Sequence, residues 1–150
     1  MSNFRLFIAL LLTGVAVAAG FFSFREARES FEASVEVGDM HYDRGEHEQA
    51  IAAYRRALAI RDSAYVRTNL GVSLHRLHRS DDALRELERA LKLDPNYWKA
   101  TFNELVIYAN RKDYAKALAR IERLRELQKT NGEIPPLDEL EQHLRARAAR

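Results

Sequence analysis

Apolar and small residues return along this chain with two periods. Over short windows they fall three and four residues apart: Ala50, Ile51, Tyr54, Ala57 and Leu58 form one such series. That spacing puts them on one face of an α-helix. Over longer stretches the series is rewritten. Ala50 is answered by Ala83 and Ala117, Tyr54 by Leu87 and Ile121, Ala57 by Ala90 and Leu124, and Ile60 by Leu93 and Leu127, at intervals of 33 and then 34 residues. A second series precedes each of these: Val37, Met40 and His41; Leu70 and Leu74; Phe102, Leu105 and Tyr108. Short polar breaks, DRGEH, RLHRS and NRKD, separate the two series in every unit. Each unit therefore predicts a helix, a tight turn and a second helix.

One helical hairpin cannot bury its own apolar stripe, so three in register predict a stack with a shared core. The units fall at about residues 31–63, 64–97 and 98–131. Gly38 and Gly71, with Ala50, Ala83 and Ala117, let paired helices approach closely, and the bulkier Tyr54, Leu87 and Ile121 fill the space beside them. After TNGEIPP, the stretch LDELEQHLRARA sets Leu137, Leu140 and Leu144 on one face, which predicts a capping helix at about 136–148. The expected fold is all-α: three helix-turn-helix repeats and a cap in one domain over residues 25–150.

Residues 1–24 are of another kind. Leu6–Phe24 holds nineteen residues without a charge, between Arg5 and Arg25. As a helix this run is about 28 Å long, close to the hydrocarbon thickness of a bilayer. It predicts an N-terminal transmembrane anchor. A cleavable signal sequence is the alternative, with Ala16-Val17-Ala18 as its small-residue site. The expected location is an inner membrane crossed once, with the repeats on the periplasmic side. A cytoplasmic placement, or secretion after cleavage, are the alternatives. REARESFEAS is expected to carry the helix from the leader into the first repeat.

Net charge is +2, which gives no general attraction for nucleic acid. The charge is graded, however: residues 25–63 carry −3, 64–97 carry +1 and 98–131 carry +4. There is no cysteine, which removes disulfides, thiolate metal sites and cysteine nucleophiles. His75 and His78 are one turn apart, with His41 as a candidate neighbour, but helix, turn and groove roles account for them without a metal. No phosphate-cradling glycine run, Ser-His-Asp order or nucleophile elbow is present. An enzyme is not expected, nor a cofactor, nor a nucleic-acid partner.

The repeat resembles the tetratricopeptide repeat (TPR) family. The residues that carry the likeness are Gly38, Gly45, Ala50, Tyr54 and Ala57; then Leu70-Gly71, Leu74, Ala83, Leu87, Ala90 and the DPNY that ends at Tyr97; then Tyr108, Tyr114, Ala117 and Ile121. The third unit departs from the pattern, with Glu104-Leu105 for Leu-Gly and Leu124 for Ala. The first unit lacks the final Pro and is one residue short. The resemblance implies an α-solenoid whose first helices line a concave groove for a peptide or helix of a partner protein. By the family's register the groove residues are Glu32, Val35, Asp39, Tyr42 and Asp43; Tyr65, Thr68, Asn69, Val72, His75 and Arg76; and Lys99, Phe102, Asn103, Val106 and Asn110. Such a groove is acidic near the leader and more basic at the far end, with Tyr42 and Tyr65 as aromatic anchors and Phe102 as either a third anchor or a core residue.

One branch of the family grips the C-terminal carboxylate of chaperones, with Lys and Asn in the first unit, Asn in the second, and Lys and Arg in the third. Asn69 and Lys99 match that clamp, whereas Val35, Asp39 and Asn103 do not. Tail binding of that type is not expected, because Asp39 and Asp43 repel a carboxylate. The expected role is a membrane-tethered scaffold for an envelope or assembly partner. The alternative is an accessory subunit of a membrane complex, held through its transmembrane helix or convex face.

Overall fold

The computed structural model describes residues 23, 25–129 and 134–149. Among the described residues there are seven helices and no strand. They are α1 (residues 25–43), α2 (His47–Ile60), α3 (Ala64–Arg76), α4 (Ser80–Leu93), α5 (Trp98–Asn110), α6 (Tyr114–Gln128) and α7 (Asp138–Ala148). No helix among them is long and apolar enough to cross a membrane. The anchor or signal sequence expected over 1–24 lies, but for residue 23, outside the described residues.

The two sequence series become one interior. Ala50, Tyr54, Ala57, Ala83, Leu87, Ala90, Ala117, Ile121 and Leu124 are all buried, in a cluster that runs from Phe31 to Leu144. Each helix packs on the next along the chain, and α3 also touches α5. Within the first hairpin, a Cβ added to Gly38 would stand 2.5 Å from Tyr54 Cε1, so only glycine lets α1 and α2 close to this distance. In the second, a Cβ on Gly71 would meet Leu87 Cγ at 3.1 Å and the Ala83 carbonyl at 3.2 Å. The third hairpin seats Leu105 at that position, buried like its neighbour Glu104.

The polar breaks are three copies of one turn. Gly45, His78 and Lys112 all lie in the left-handed region, with φ of 75°, 60° and 61°. At each, the next amide donates back to the last turn of the inner helix: Glu46 N to His41 O, Arg79 N to Leu74 O and Asp113 N to Tyr108 O, all 2.9 Å. This pattern satisfies carbonyls that a helix end would otherwise leave unpaired. The missing residue of the first unit is in its connector: three residues, 61–63, join α2 to α3, whereas four, 94–97, join α4 to α5.

Three apolar positions differ from expectation. Met40, Ile60 and Leu93 belong to the buried series by spacing, yet they are 39, 42 and 49% exposed. α1 opens the described stack, so no earlier unit lies over Met40. Ile60 and Leu93 are the last residues of α2 and α4, whereas the equivalent Leu127, near the end of the third outer helix α6, is 3% exposed. There, α7 and its approach bury Leu127 together with Ile134, Leu137 and Leu144. Arg125 of α6 reinforces the cap, with Nη2 2.6 Å from both Asp138 and Glu141.

Candidate functional site

α1, α3 and the start of α5 run side by side and leave a concavity of about 400 Å³ between them. Asp39, Tyr42 and Asp43 from α1, Tyr65, Asn69 and Val72 from α3, and Lys99 from α5 line it. All seven are groove residues by sequence. Tyr97, from the connector before α5, completes the wall. Tyr97 ends DPNY and stands outside the expected groove set; the signal that points to it is an aromatic residue immediately before an inner helix. A second hollow of about 480 Å³ adjoins the first through Asp39 and Tyr65, and takes in Glu32 and Val35.

Asp39 holds this wall together. Its Oδ1 accepts from the Tyr54 hydroxyl at 2.7 Å and from Asn69 Nδ2 at 3.1 Å, and its Oδ2 accepts from the Tyr65 hydroxyl at 2.7 Å. One carboxylate on α1 thus ties α2 and α3. Burial, then the bond to Asp39, pushes the Tyr65 phenol up to about 12 and raises that of Tyr54 as well. Both hydroxyls are therefore donors at neutral pH. Burial, followed by the nearby Asp94, also raises the Tyr97 phenol.

These contacts leave the groove's charges unequally available to a ligand. Asp39 is engaged by three donors, and Glu32 is paired with Arg28 at 2.9 Å. Asp43 is exposed and makes no hydrogen bond or ion pair among the described residues. The Lys99 ammonium stands 5.8 Å from the centre of the Trp98 ring and has no ion-pair partner among the described residues. One open anion and one open cation thus line the same concavity.

The remaining expected groove residues divide by environment. Thr68 is 2% exposed, and its hydroxyl donates to the Ala64 carbonyl at 2.8 Å, so it faces helix packing and not the open wall. Phe102 is half-buried on the core, edge-on to Trp98 at 6.4 Å, and Val106 packs against the same core. Asn103 Nδ2 donates to the Lys99 carbonyl at 2.7 Å and so turns toward its own helix. His75 Nε2 lies 3.1 Å from Asn110 Nδ2, and its Nδ1 lies 3.0 Å from the Ser80 hydroxyl. An amide NH₂ is a donor, so Nε2 accepts and Nδ1 carries the proton in neutral imidazole. Burial lowers the His75 pKa, and Arg76, His78 and Arg111 lower it further. Arg76 is exposed.

Elsewhere, His41 Nδ1 lies 2.5 Å from Glu46 Oε2. Among the described residues no group of three or more His, Asp or Glu is placed to hold a metal ion. Glu104 is 1% exposed and meets Arg120 Nε at 2.6 Å. Burial raises its carboxyl pKa while Arg120 opposes that rise.

Two repeat models match the chain, one described as TPR repeat over residues 38–77 and one as Tetratricopeptide repeat over 68–131. Together they span 38–131. Over 107 residues the chain is 27% identical to DnaJ homolog subfamily C member 7 of Homo sapiens, an alignment of 68% of this chain and 22% of that protein. The chain thus spans about a fifth of the length of this curated relative. Its fold is similar to the TPR2B domain of yeast Sti1 in a pHsp70 complex, with TM-score 0.71 and 19% identity over 81% of this chain and 97% of that one. It is also similar to the first TPR of Spaghetti (RPAP3) bound to an HSP90 peptide, with TM-score 0.73 and 18% identity over 81% and 95% of the two chains. At these identities the likeness is one of fold.

Proposed function

Because the chain belongs to the tetratricopeptide repeat family, we propose that it is a protein-interaction module whose groove binds a peptide or helix of an envelope or assembly partner. The observation that carries this reading is the concavity where Asp39, Tyr42, Asp43, Tyr65, Asn69, Val72 and Lys99 converge from all three inner helices. A preformed, stiff wall lowers the ordering cost of capturing a flexible segment. Asp39, bonded to two other helices, supplies that stiffness.

The proposal extends to a tether. The nineteen uncharged residues of Leu6–Phe24 anchor the domain at an inner membrane, with the repeats in the periplasm. Anchoring raises the local concentration of membrane partners, so a modest intrinsic affinity suffices. The Sti1 and Spaghetti domains are found with Hsp70 and HSP90 ligands. A chaperone-tail carboxylate is not the ligand proposed for this chain, because it would meet Asp39 and Asp43 where a clamp needs cations.

The second reading, an accessory subunit of a membrane complex that docks through its convex side, draws on the exposed Ile60 and Leu93 at the ends of outer helices. Two variants separate the readings. Val72→Arg with Asp43→Lys blocks the groove without touching the Asp39 hub, and Ile60→Lys with Leu93→Lys alters the outer helix ends. Proximity labelling from the C-terminus, in membranes of known orientation, reports neighbours and side together. Loss of neighbours with the first variant alone supports the groove. Loss with the second alone overturns it. Labelling confined to cytoplasmic proteins would overturn the periplasmic placement.

A further inference from the structure

The groove's lining offers a basis for selecting among peptides by charge. This inference rests on the groove reading above and names the side chain that the groove takes. Three tyrosines, Tyr42, Tyr65 and Tyr97, line the 400 Å³ concavity. The face of an aromatic ring carries negative charge density, which attracts a cation. Two aspartates share the same wall, against one lysine. Asp39 has both oxygens occupied by Tyr54, Tyr65 and Asn69, so its geometry is committed while its field remains. Asp43 has no partner among the described residues and is open to a ligand.

Each class of ligand side chain meets a different fate here. A carboxylate meets two negative groups. An apolar side chain covers Asp43 without offering a donor, which strands a charge away from water. A cationic side chain gains Asp43 as a pair and the tyrosines beside it as a second contact. Lys99, on the same wall, sets a limit, since a second adjacent cation would be repelled whereas an acidic neighbour would be paired.

We propose that this concavity recognises a Lys or Arg side chain in a mixed-charge segment of a partner protein, held by Asp43 and the Tyr42, Tyr65 and Tyr97 rings, with an adjacent acidic residue facing Lys99. The Tyr65 and Tyr97 phenols stay protonated through neutral pH, since Tyr65 is pushed up to about 12 and Tyr97 is also raised. These two rings therefore add no negative charge that titrates near pH 7. The selectivity comes from Asp43 and the tyrosines that line the concavity with it.

The test uses the full chain and random-sequence peptides displayed on phage, followed by fluorescence polarisation with synthetic copies of the enriched peptides. Enriched peptides are expected to carry Lys or Arg beside Asp or Glu. Replacing that basic residue by Gln is expected to weaken binding about tenfold or more, with a similar loss in Asp43→Asn and in Tyr97→Ala. Asp43→Lys is expected to reverse the preference toward a Glu at that peptide position. Asp43 is exposed and unpartnered, so Asp43→Asn should leave the thermal midpoint in place, which separates lost binding from lost folding. Enriched peptides without a basic residue, whose binding is nonetheless lost in Val72→Arg, would overturn the charge selection and leave the groove reading intact. Binding indifferent to Asp43, Tyr97 and Val72 alike, or no enrichment at all, would overturn both.

Discussion

The second and third hairpins follow one plan with different interiors. In α3–α4, Leu70 and Gly71 sit side by side, and the glycine brings Leu87 and the Ala83 carbonyl into close contact. In α5–α6 the corresponding positions hold Glu104 and Leu105, both 1% exposed. A carboxylate stands where a leucine did, and a leucine where a glycine did. Each hairpin also ties its inner helix to its outer one by an ion pair. In the second, Arg67 meets Glu86 at 2.6 Å; in the third, Glu104 meets Arg120 at 2.6 Å. Positions 86 and 120 correspond, and the sign is reversed between them. What the hairpins share is a filled volume and a neutralised charge, and not a set of side chains.

The largest expected effect is that of Arg120→Ala. It leaves the Glu104 carboxylate buried without a partner, at a cost of about 3 kcal/mol, the low end for a broken buried pair because Arg120 is 33% exposed. Urea titration should show a lower midpoint at an unchanged slope. Glu104→Leu combined with Arg120→Met rebuilds the apolar setting of Leu70 and should return to within about 1 kcal/mol of the parent. A double variant as weak as the single one would break the equivalence of the two hairpins.

Gly71→Leu asks whether the second hairpin can adopt the packing of the third. The added side chain collides with Leu87 and a backbone carbonyl, costing about 3 kcal/mol, from which about 1 is recovered by removing a glycine from a helix. A net loss of about 2 kcal/mol is expected. No loss would mean that α3 and α4 can move apart to admit the added side chain.

A smaller effect is expected with pH. His75 is peculiar to the second unit, since Ala109 holds its place in the third. Burial and neighbouring cations lower its pKa in the folded chain, so the unfolded chain binds the proton more tightly. Its contribution to stability is whole above about pH 6.5, the ordinary value, and is lost as pH falls through the lowered one. Melting temperatures compared at pH 7.5 and 5 should fall less in His75→Gln than in the parent. Equal slopes would remove His75 from the account.

The smallest effect is at the turns. Lys112→Gly relieves about 1–2 kcal/mol of left-handed strain and gives back about 1 through the freedom of the unfolded chain. It should stabilise by roughly 0.5 kcal/mol, since Gly45 already holds the equivalent place in the first hairpin. A lower melting temperature would show that the Lys112 side chain contributes something glycine cannot supply.

Much of this was legible in the order of residues. The 33- and 34-residue intervals marked Ala50, Tyr54, Leu87, Ala117 and Ile121 as interior, because a buried position repeats wherever the hairpin does. Spacing failed at Met40, Ile60 and Leu93, because periodicity reports which face a residue shares and not how far the next unit reaches. The groove was legible in part for the same reason. Register placed Asp39, Tyr65 and Asn69 on inner helices, but not that the two donors close on one carboxylate. It also placed Thr68 one step too far toward the groove, where a short side chain bonded to its own helix offers no face. Tyr97 escaped because it lies in a connector, outside the helical period.

Among the helices α2 to α7, each leans on the next in the chain or on the one after. No large loop has to close before the first stable contact forms, so folding is expected to begin at any hairpin and spread outward by accretion. The same topology governs failure. A cut or a local melt in mid-array leaves each fragment with one raw apolar flank, and the flank exposed at α6 is the one that α7 now shields.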